Sequence, residues 1–594
     1  MKNLLAKSFM IMTMVALLMS CNDDEDNLEQ MEPTVSINGE QSLTAYQKST
    51  VEVTAKISAK NGTPEITANG ETLSLSADST VTYSVEVPFN AELGEAIDVK
   101  FTVKNGDAEA NLDVAITVVP KPLTESVTPE SVMLLNSAEF PNMKLEMIMT
   151  SEDILYSDSS FVYGSYMDGT ALYPNGDGTF SLINNLERDF AIARIVMNDK
   201  LEPLTGEYIV NANATAYTAQ CSGSSITEEE HGFGPFYLSG GEWGGANKGV
   251  YRIDPFRDAS NRDQADRLPA LGEWSTENAV AIGKDAYSDK TVVFMGDDES
   301  NNTYPKGHLG MYVGNRGDLS GGELYVLRGK DTTENVGNGG LKFEMGMAEG
   351  TSYDVEWVKM SERTIEELNQ EAADSVAIGF QRIEDIDWRR GSASNQRTIY
   401  FCVTGRIRSD NPDLAKRGTS LGRVYKLELN PNDPTGDAKI TCVLDGDKVG
   451  GKADGFHSPD NILVTENYAY IQEDPNGYFA ANSAIEGWAK LYQYDLNNGT
   501  IKTVMECNES DPSVIANYGG GGKWEITGLI DVTDIIGASE PTFVGGVQVH
   551  GWNNRDIPGA VRADGKPFND PTAIPATESE MEGSFLFKIT GLDR

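Results

Sequence analysis

Lys248-Gly249-Val250-Tyr251-Arg252-Ile253-Asp254-Pro255, Gly322-Glu323-Leu324-Tyr325-Val326-Leu327, Gly422-Arg423-Val424-Tyr425-Lys426-Leu427 and Ala489-Lys490-Leu491-Tyr492-Gln493-Tyr494-Asp495 repeat one phrase. A small or charged residue is followed by Leu or Val, Tyr, any residue and an apolar one, roughly every 70 to 100 residues. Imperfect repeats of strand-forming residues, separated by Gly, Asn and Asp turns, argue for the blades of a β-propeller. Residues 127–594 would hold six blades with long insertions. Two packed jelly rolls and a β-helix are the alternatives.

Upstream, residues 34–119 carry a different rhythm. Apolar and polar residues alternate in Thr50-Val51-Glu52-Val53-Thr54-Ala55-Lys56-Ile57, Val81-Thr82-Tyr83-Ser84-Val85, Ile97-Asp98-Val99-Lys100-Phe101-Thr102-Val103 and Leu112-Asp113-Val114-Ala115-Ile116. Asn61-Gly62, Asn69-Gly70 and Asn105-Gly106 supply turns. A stretch of this length and pattern suits an immunoglobulin-like sandwich. No catalytic constellation is visible in it, so it reads as a spacer, with a binding module as the alternative. Pro120-Lys121-Pro122 opens a stiff linker over 120–126. The expected fold class is therefore all-β. Glu362 to Ala377 is the one good helical stretch.

The first residues read as an address. Lys2 and Lys7 precede an apolar run, Phe9 to Met19, too short to span a bilayer. It ends Leu18-Met19-Ser20-Cys21, the pattern of a lipoprotein cleavage site over residues 1–21 with Cys21 lipidated. An ordinary secretory signal with a chance Cys is the alternative. Asn22-Asp23-Asp24-Glu25-Asp26 begins an acidic linker over 22–33 and resembles the surface-export signal of Bacteroidetes lipoproteins. The expected place is the outer membrane, on the cell surface, held through the lipid alone.

A net charge of −44 argues against nucleic-acid binding, because a polyanion would be repelled. Surplus carboxylates suit Ca²⁺, whose ligands are oxygens. With Cys21 set aside, Cys221, Cys402, Cys442 and Cys507 remain, without a zinc spacing and with pairing open. Four His make a His-rich metal site and a His-based general acid poor expectations.

Several phrases put acidic or polar groups at strand ends: Cys221-Ser222-Gly223, Gly241-Glu242-Trp243, Thr276-Glu277-Asn278-Ala279-Val280, Gly296-Asp297-Asp298-Glu299, Arg382-Ile383-Glu384-Asp385, and Ser458-Pro459-Asp460-Asn461 with Gln472-Glu473-Asp474. A propeller gathers equivalent strand ends at one mouth of its channel. Converging carboxylates repel unless a cation or protons neutralise them, so this arrangement suggests metal.

In order and spacing these phrases, with Glu525-Ile526-Thr527-Gly528 and Gln548-Val549-His550-Gly551, resemble the PhoX-type alkaline phosphatases, six-bladed propellers with an iron–calcium cluster. The resemblance covers about Ala214 to Gly551. It implies Cys221 as an iron ligand, Glu242, Glu277 and Glu384 as metal-holding carboxylates, Asp297 or Asp298 with Asp474 as further calcium ligands, and Arg382 as the phosphate-gripping group. Read alone, Cys221 suits a buried or paired thiol, Asp297-Asp298 a turn, and Arg382 with Glu384 an ion pair. The expected cofactors are Ca²⁺ and, more open, Fe³⁺. The expected activity is phosphomonoester hydrolysis on a phosphorylated small molecule or glycan, by a monomer.

There are departures. The family's twin-arginine leader is replaced by the lipoprotein pattern, and Thr-Pro-Trp-Gly-Thr-Trp is absent after Cys221. The His-Glu is Thr276-Glu277, the Arg-Pro-Glu is Arg382-Ile383-Glu384, and the Gln-His-Pro-Gly is Gln548-Val549-His550-Gly551. The rivals are a non-catalytic, calcium-stabilised binding protein using Phe233, Phe236, Tyr237 and Trp243, and a lactonase-like calcium hydrolase.

Overall fold

The structure, a computed structural model, describes residues 32–37, 43–88, 91–157, 161–299, 301–407, 410–475, 488–552 and 582–594. Cys21, the leader and the acidic run lie outside these residues. The chain divides into two compact units, Met1–Val119 and Pro120–Arg594.

In the first unit, alternation is converted directly into two sheets over one core. Thr34–Ile37, Thr50–Ser58 and Thr80–Glu86 form a three-stranded sheet. Leu43–Tyr46, Ala108–Val119, Ala96–Asn105, Glu65–Ala68 and Glu71–Thr72 form a five-stranded one, its first two strands parallel. Val53, Ala55, Ile57 and Val81 meet Val99, Phe101, Val103, Val114 and Ile116 in the interior. Their polar neighbours in sequence point outward, as a period of two requires.

The second unit is a six-bladed β-propeller. Its inner strands are Met167–Pro174, Thr218–Ile226, Thr276–Ala281, Ile383–Trp388, Pro459–Val464 and Glu525–Asp531, of blades one to six. Each packs on the next, and the sixth returns to the first. Antiparallel strands run outward from each. Ser352–Met360 pairs with the outer strands of both blade three and blade four, joining them into one sheet. The ring is closed by the beginning of the unit: Lys144–Thr150 is the outer strand of blade six, and Met133–Leu135 adds to blade five.

The repeated phrase falls on third strands in blades two, four and five, where Tyr251, Tyr425 and Tyr492 are buried. In blade three it falls on the fourth strand, Glu323–Gly329. The equivalent there is Leu309–Asn315, with Tyr312 buried. The helix is Ile365–Asp374, which buries Leu368 and Ala372 on one face. All four described cysteines are buried and unpaired.

Candidate metal centre

Each inner strand begins with the same irregularity. Two residues oppose one on the neighbouring strand: Asp168-Gly169, Cys221-Ser222, Glu277-Asn278, Glu384-Asp385, Asp460-Asn461 and Gly528-Leu529, in blades one to six. Such a bulge bends the strand and re-aims its side chains. In four blades the residue just before the inner strand is non-glycine with positive φ: Tyr166 at 54°, Tyr217 at 60°, Arg382 at 72° and Ser458 at 44°. Each costs roughly 1 kcal/mol or more, which the surrounding packing must offset.

The first residues of the bulges form an inner tier: Asp168, Cys221, Glu277, Glu384 and Asp460, all buried. Antiparallel pairing sets the end of each second strand beside the start of the first. Glu187, Asp298 and Asp474 follow the second strands of blades one, three and five, and Glu242 lies within that of blade two. The two tiers interlock. Ligand atoms lie within 4.8 Å of one another in four overlapping groups: Asp168, Cys221, Glu277; Glu187, Cys221, Glu242; Glu242, Glu277, Asp298; and Glu277, Glu384, Asp460. Each group could hold a metal ion.

The second bulge residues tie the blades together underneath. Asp385 accepts the Ile462 amide at 2.9 Å and the Asn278 side chain. The Ser222 amide donates to Glu277 at 3.2 Å. Asp168 Oδ1 accepts from Thr527 at 2.6 Å and Asn461 at 3.2 Å. Below, the channel narrows to a cavity of about 80 Å³ bordered by Ser222, Asn278, Asp385 and Asn461.

Burial, reinforced by mutual repulsion, pushes Glu242, Glu277, Asp460 and Glu525 well above the usual carboxylate range. Asp168 is pushed to about 7 for the same reasons. The Cys221 thiol, 3.3 Å from Glu242, is pushed up by burial and by the same carboxylates. Glu384 is also raised by burial, although Arg382 opposes it. Arg382 approaches Glu384 at 2.6 Å and Asp298 at 2.9 and 3.1 Å. One guanidinium cannot neutralise so many acids. A bound cation would reverse the direction of these shifts. Oxygen donors suit a hard cation and the thiol a softer one, so the donor set fits both expected metals.

The sequence-selected residues sort cleanly. Cys221, Glu242, Glu277, Asp298 and Glu384 converge. Asp474 stands at the rim, close enough to raise Glu384 and Asp460. Asp297 belongs to no group among the described residues: it pairs with Thr276 in the ladder, and its Oδ1 accepts the Ser275 amide. Side-chain alternation turns it away from Asp298. Asp168 and Glu187 were missed. The spacing of about twenty residues between Glu277 and Asp298 recurs for Cys221 and Glu242 and for Asp168 and Glu187, and that signal would have found them. The aromatics of the rival reading do not form a binding surface. Phe233 and Phe236 pack on the core of blades two and three, Tyr237 is buried, and Trp243 donates to Glu187.

No family model matches this chain, and no curated protein matches it. Among solved structures, Pseudomonas fluorescens PhoX in complex with vanadate, described as a transition state analogue, aligns with a TM-score of 0.51 at 14% identity. That alignment covers 80% of this chain and 97% of PhoX. A quinonprotein alcohol dehydrogenase-like protein from Bacteroides thetaiotaomicron aligns at a TM-score of 0.24 and 12% identity, over 80% of this chain and 99% of that one. Titin domain M7 aligns over 15% of this chain and 95% of its own, at a TM-score of 0.12 and 14% identity. Only the first supports an argument about fold: this chain is structurally related to PhoX and shares its β-propeller architecture.

Proposed function

We propose that the protein is a metal-dependent phosphomonoesterase held at the cell surface through lipidated Cys21, with its N-terminal sandwich an immunoglobulin-like spacer. The observation that carries the catalytic reading is Arg382, set between Asp298 and Glu384 at the edge of the buried acids. A carboxylate cluster alone would repel a phosphate dianion, and a cluster loaded with cations would attract it. Glu242, Glu277, Asp298, Glu384 and Asp460 would hold Ca²⁺, and Cys221 with Glu187 and Glu242 would hold iron. When bound, these ions supply Lewis acidity at the phosphoryl oxygens and a lowered pKa for coordinated water.

The chain's own residues then orient and stabilise. Arg382 presents a planar fork of donors that matches phosphoryl oxygens, and Asp298 fixes its position. Charge growing on the equatorial oxygens is met by this preplaced cation. The hydrogen bonds among Asp168, Ser222, Asn461 and Thr527 hold the inner tier from below, so the carboxylates need little rearrangement.

The test is hydrolysis of p-nitrophenyl phosphate by the purified chain, with elemental analysis of the same sample. The expected result is calcium in the protein and turnover abolished by chelation. Arg382→Ala should lower kcat/KM by about 10²- to 10³-fold. A metal-loaded protein without turnover would favour the binding-protein or lactonase-like readings.

A further inference from the structure

Arg188 follows Glu187 in the short helical turn Glu187–Asp189, beside the buried acids, yet it pairs with none of them. Its Nε is buried without a hydrogen-bond partner, and no ion pair reaches it among the described residues. Two rings hold it instead. The guanidinium carbon lies 5.5 Å from the centre of the Tyr166 ring and 5.5 Å from that of Trp243. Trp243 follows Glu242, and its indole N–H donates to Glu187. Tyr166 is the residue of positive φ before the inner strand of blade one. All three residues are half-buried.

The neighbouring carboxylates are engaged elsewhere. Glu187 also accepts from the Gln548 side-chain amide at 3.1 Å. Asp189 is buried and accepts the Ser165 amide at 2.9 Å. Glu582 lies 3.3 Å from His550 and accepts the Gly551 amide at 2.8 Å. An arginine left unpaired in a chain of net charge −44 therefore has donors to spare. A buried N–H without an acceptor is costly, so it calls for a partner from outside the chain. A planar fork held between two rings suits an oxyanion, which can accept two parallel hydrogen bonds where a water cannot.

The position points to the partner. Glu187 belongs to the ligand group with Cys221 and Glu242, and Glu242 belongs also to the group with Glu277 and Asp298. Arg382 pairs with Asp298 of that second group at 2.9 Å. The two arginines thus border adjoining groups that share Glu242.

We propose that Arg188 is a second phosphate-binding arginine, which takes oxygens of the phosphoryl group gripped by Arg382 from the Glu187 edge of the acids. The ligand is a phosphate dianion, presented as the ester or as free phosphate. This rests on the phosphomonoesterase reading.

The test titrates inorganic phosphate into the purified, metal-loaded full chain by calorimetry, and measures kcat/KM for p-nitrophenyl phosphate on the same samples. It compares the parent with Arg188→Ala and Arg188→Lys. We expect Arg188→Ala to raise the phosphate Kd and to lower kcat/KM, each by about tenfold or more. Arg188→Lys should fall between, because lysine restores the charge without the fork. Elemental analysis and the thermal transition identify the variants that keep the parent's metal and fold. In those variants, a phosphate Kd within roughly twofold of the parent's overturns the proposal. A parent chain that binds no phosphate also overturns it. A raised Kd with unchanged kcat/KM would assign Arg188 to free phosphate and overturn its contact with the ester. Phosphate binding that depends on Arg188, without turnover of the ester, would sink the phosphomonoesterase reading and leave the arginine as an anion-binding residue.

Discussion

The sandwich and the propeller bury different chemistry. In the sandwich, Asn105 is the one fully buried polar residue among those described, and its core is aliphatic with Phe101. In the propeller, the first turns of the inner strands bury acids, amides and a thiol together, and Arg382 is the cation that meets Asp298 and Glu384. Apolar burial stabilises the first region without a bound cation or a proton. The second carries a standing electrostatic cost that a cation or protons must offset. A fold keeps such a cost where it serves a site.

The largest effect on the propeller should come from removing metal. A ligand that binds only the native state at a hundredfold excess over its Kd contributes about 2.7 kcal/mol, worth roughly 3 °C in a unit as large as Pro120–Arg594. Scanning calorimetry with and without chelator should therefore lower the propeller transition and leave the sandwich transition in place. A uniform shift of both would break the contrast. The converse variant, Phe101→Ala, should cost the sandwich about 3–5 kcal/mol, leaving metal content and turnover unchanged.

Within the site, Asp298→Asn should reduce kcat/KM by about tenfold or more, through loss of a charged partner for Arg382 and of a cation ligand. Asp297→Asn should leave it within about twofold, since its carboxylate faces Ser275. Equal effects would undo the assignment of Asp298 to the outer tier.

The smallest effect concerns pH in the chelated protein. Asp168 and Asp385 are both pushed to about 7 in the folded state, chiefly by burial. The native state then binds more protons than the unfolded chain between about pH 4 and 7. Urea unfolding of the metal-free propeller should show stability falling as pH rises through that window. Metal-loaded protein should show a flatter profile.

The residues alone determined the all-β class and the propeller, and the family resemblance pointed to Cys221, Glu242, Glu277 and Glu384. Repeating Tyr phrases and acids at strand ends are local patterns, legible without partners. Tertiary structure decided the rest. A bulge is a count of two residues against one on another strand, so the spacing could flag Asp168, but its aim into the channel needed the partner Asn185 to be known. The split between Asp297 and Asp298 depends on where a ladder ends, and ring closure by Lys144–Thr150 joins segments more than 400 residues apart. His550 lies 3.3 Å from Glu582 and 3.9 Å from Glu525. Counting His residues could not reveal this, because proximity across the ring is set by closure of the sheets, while sequence patterns report only which face of its own strand a side chain takes.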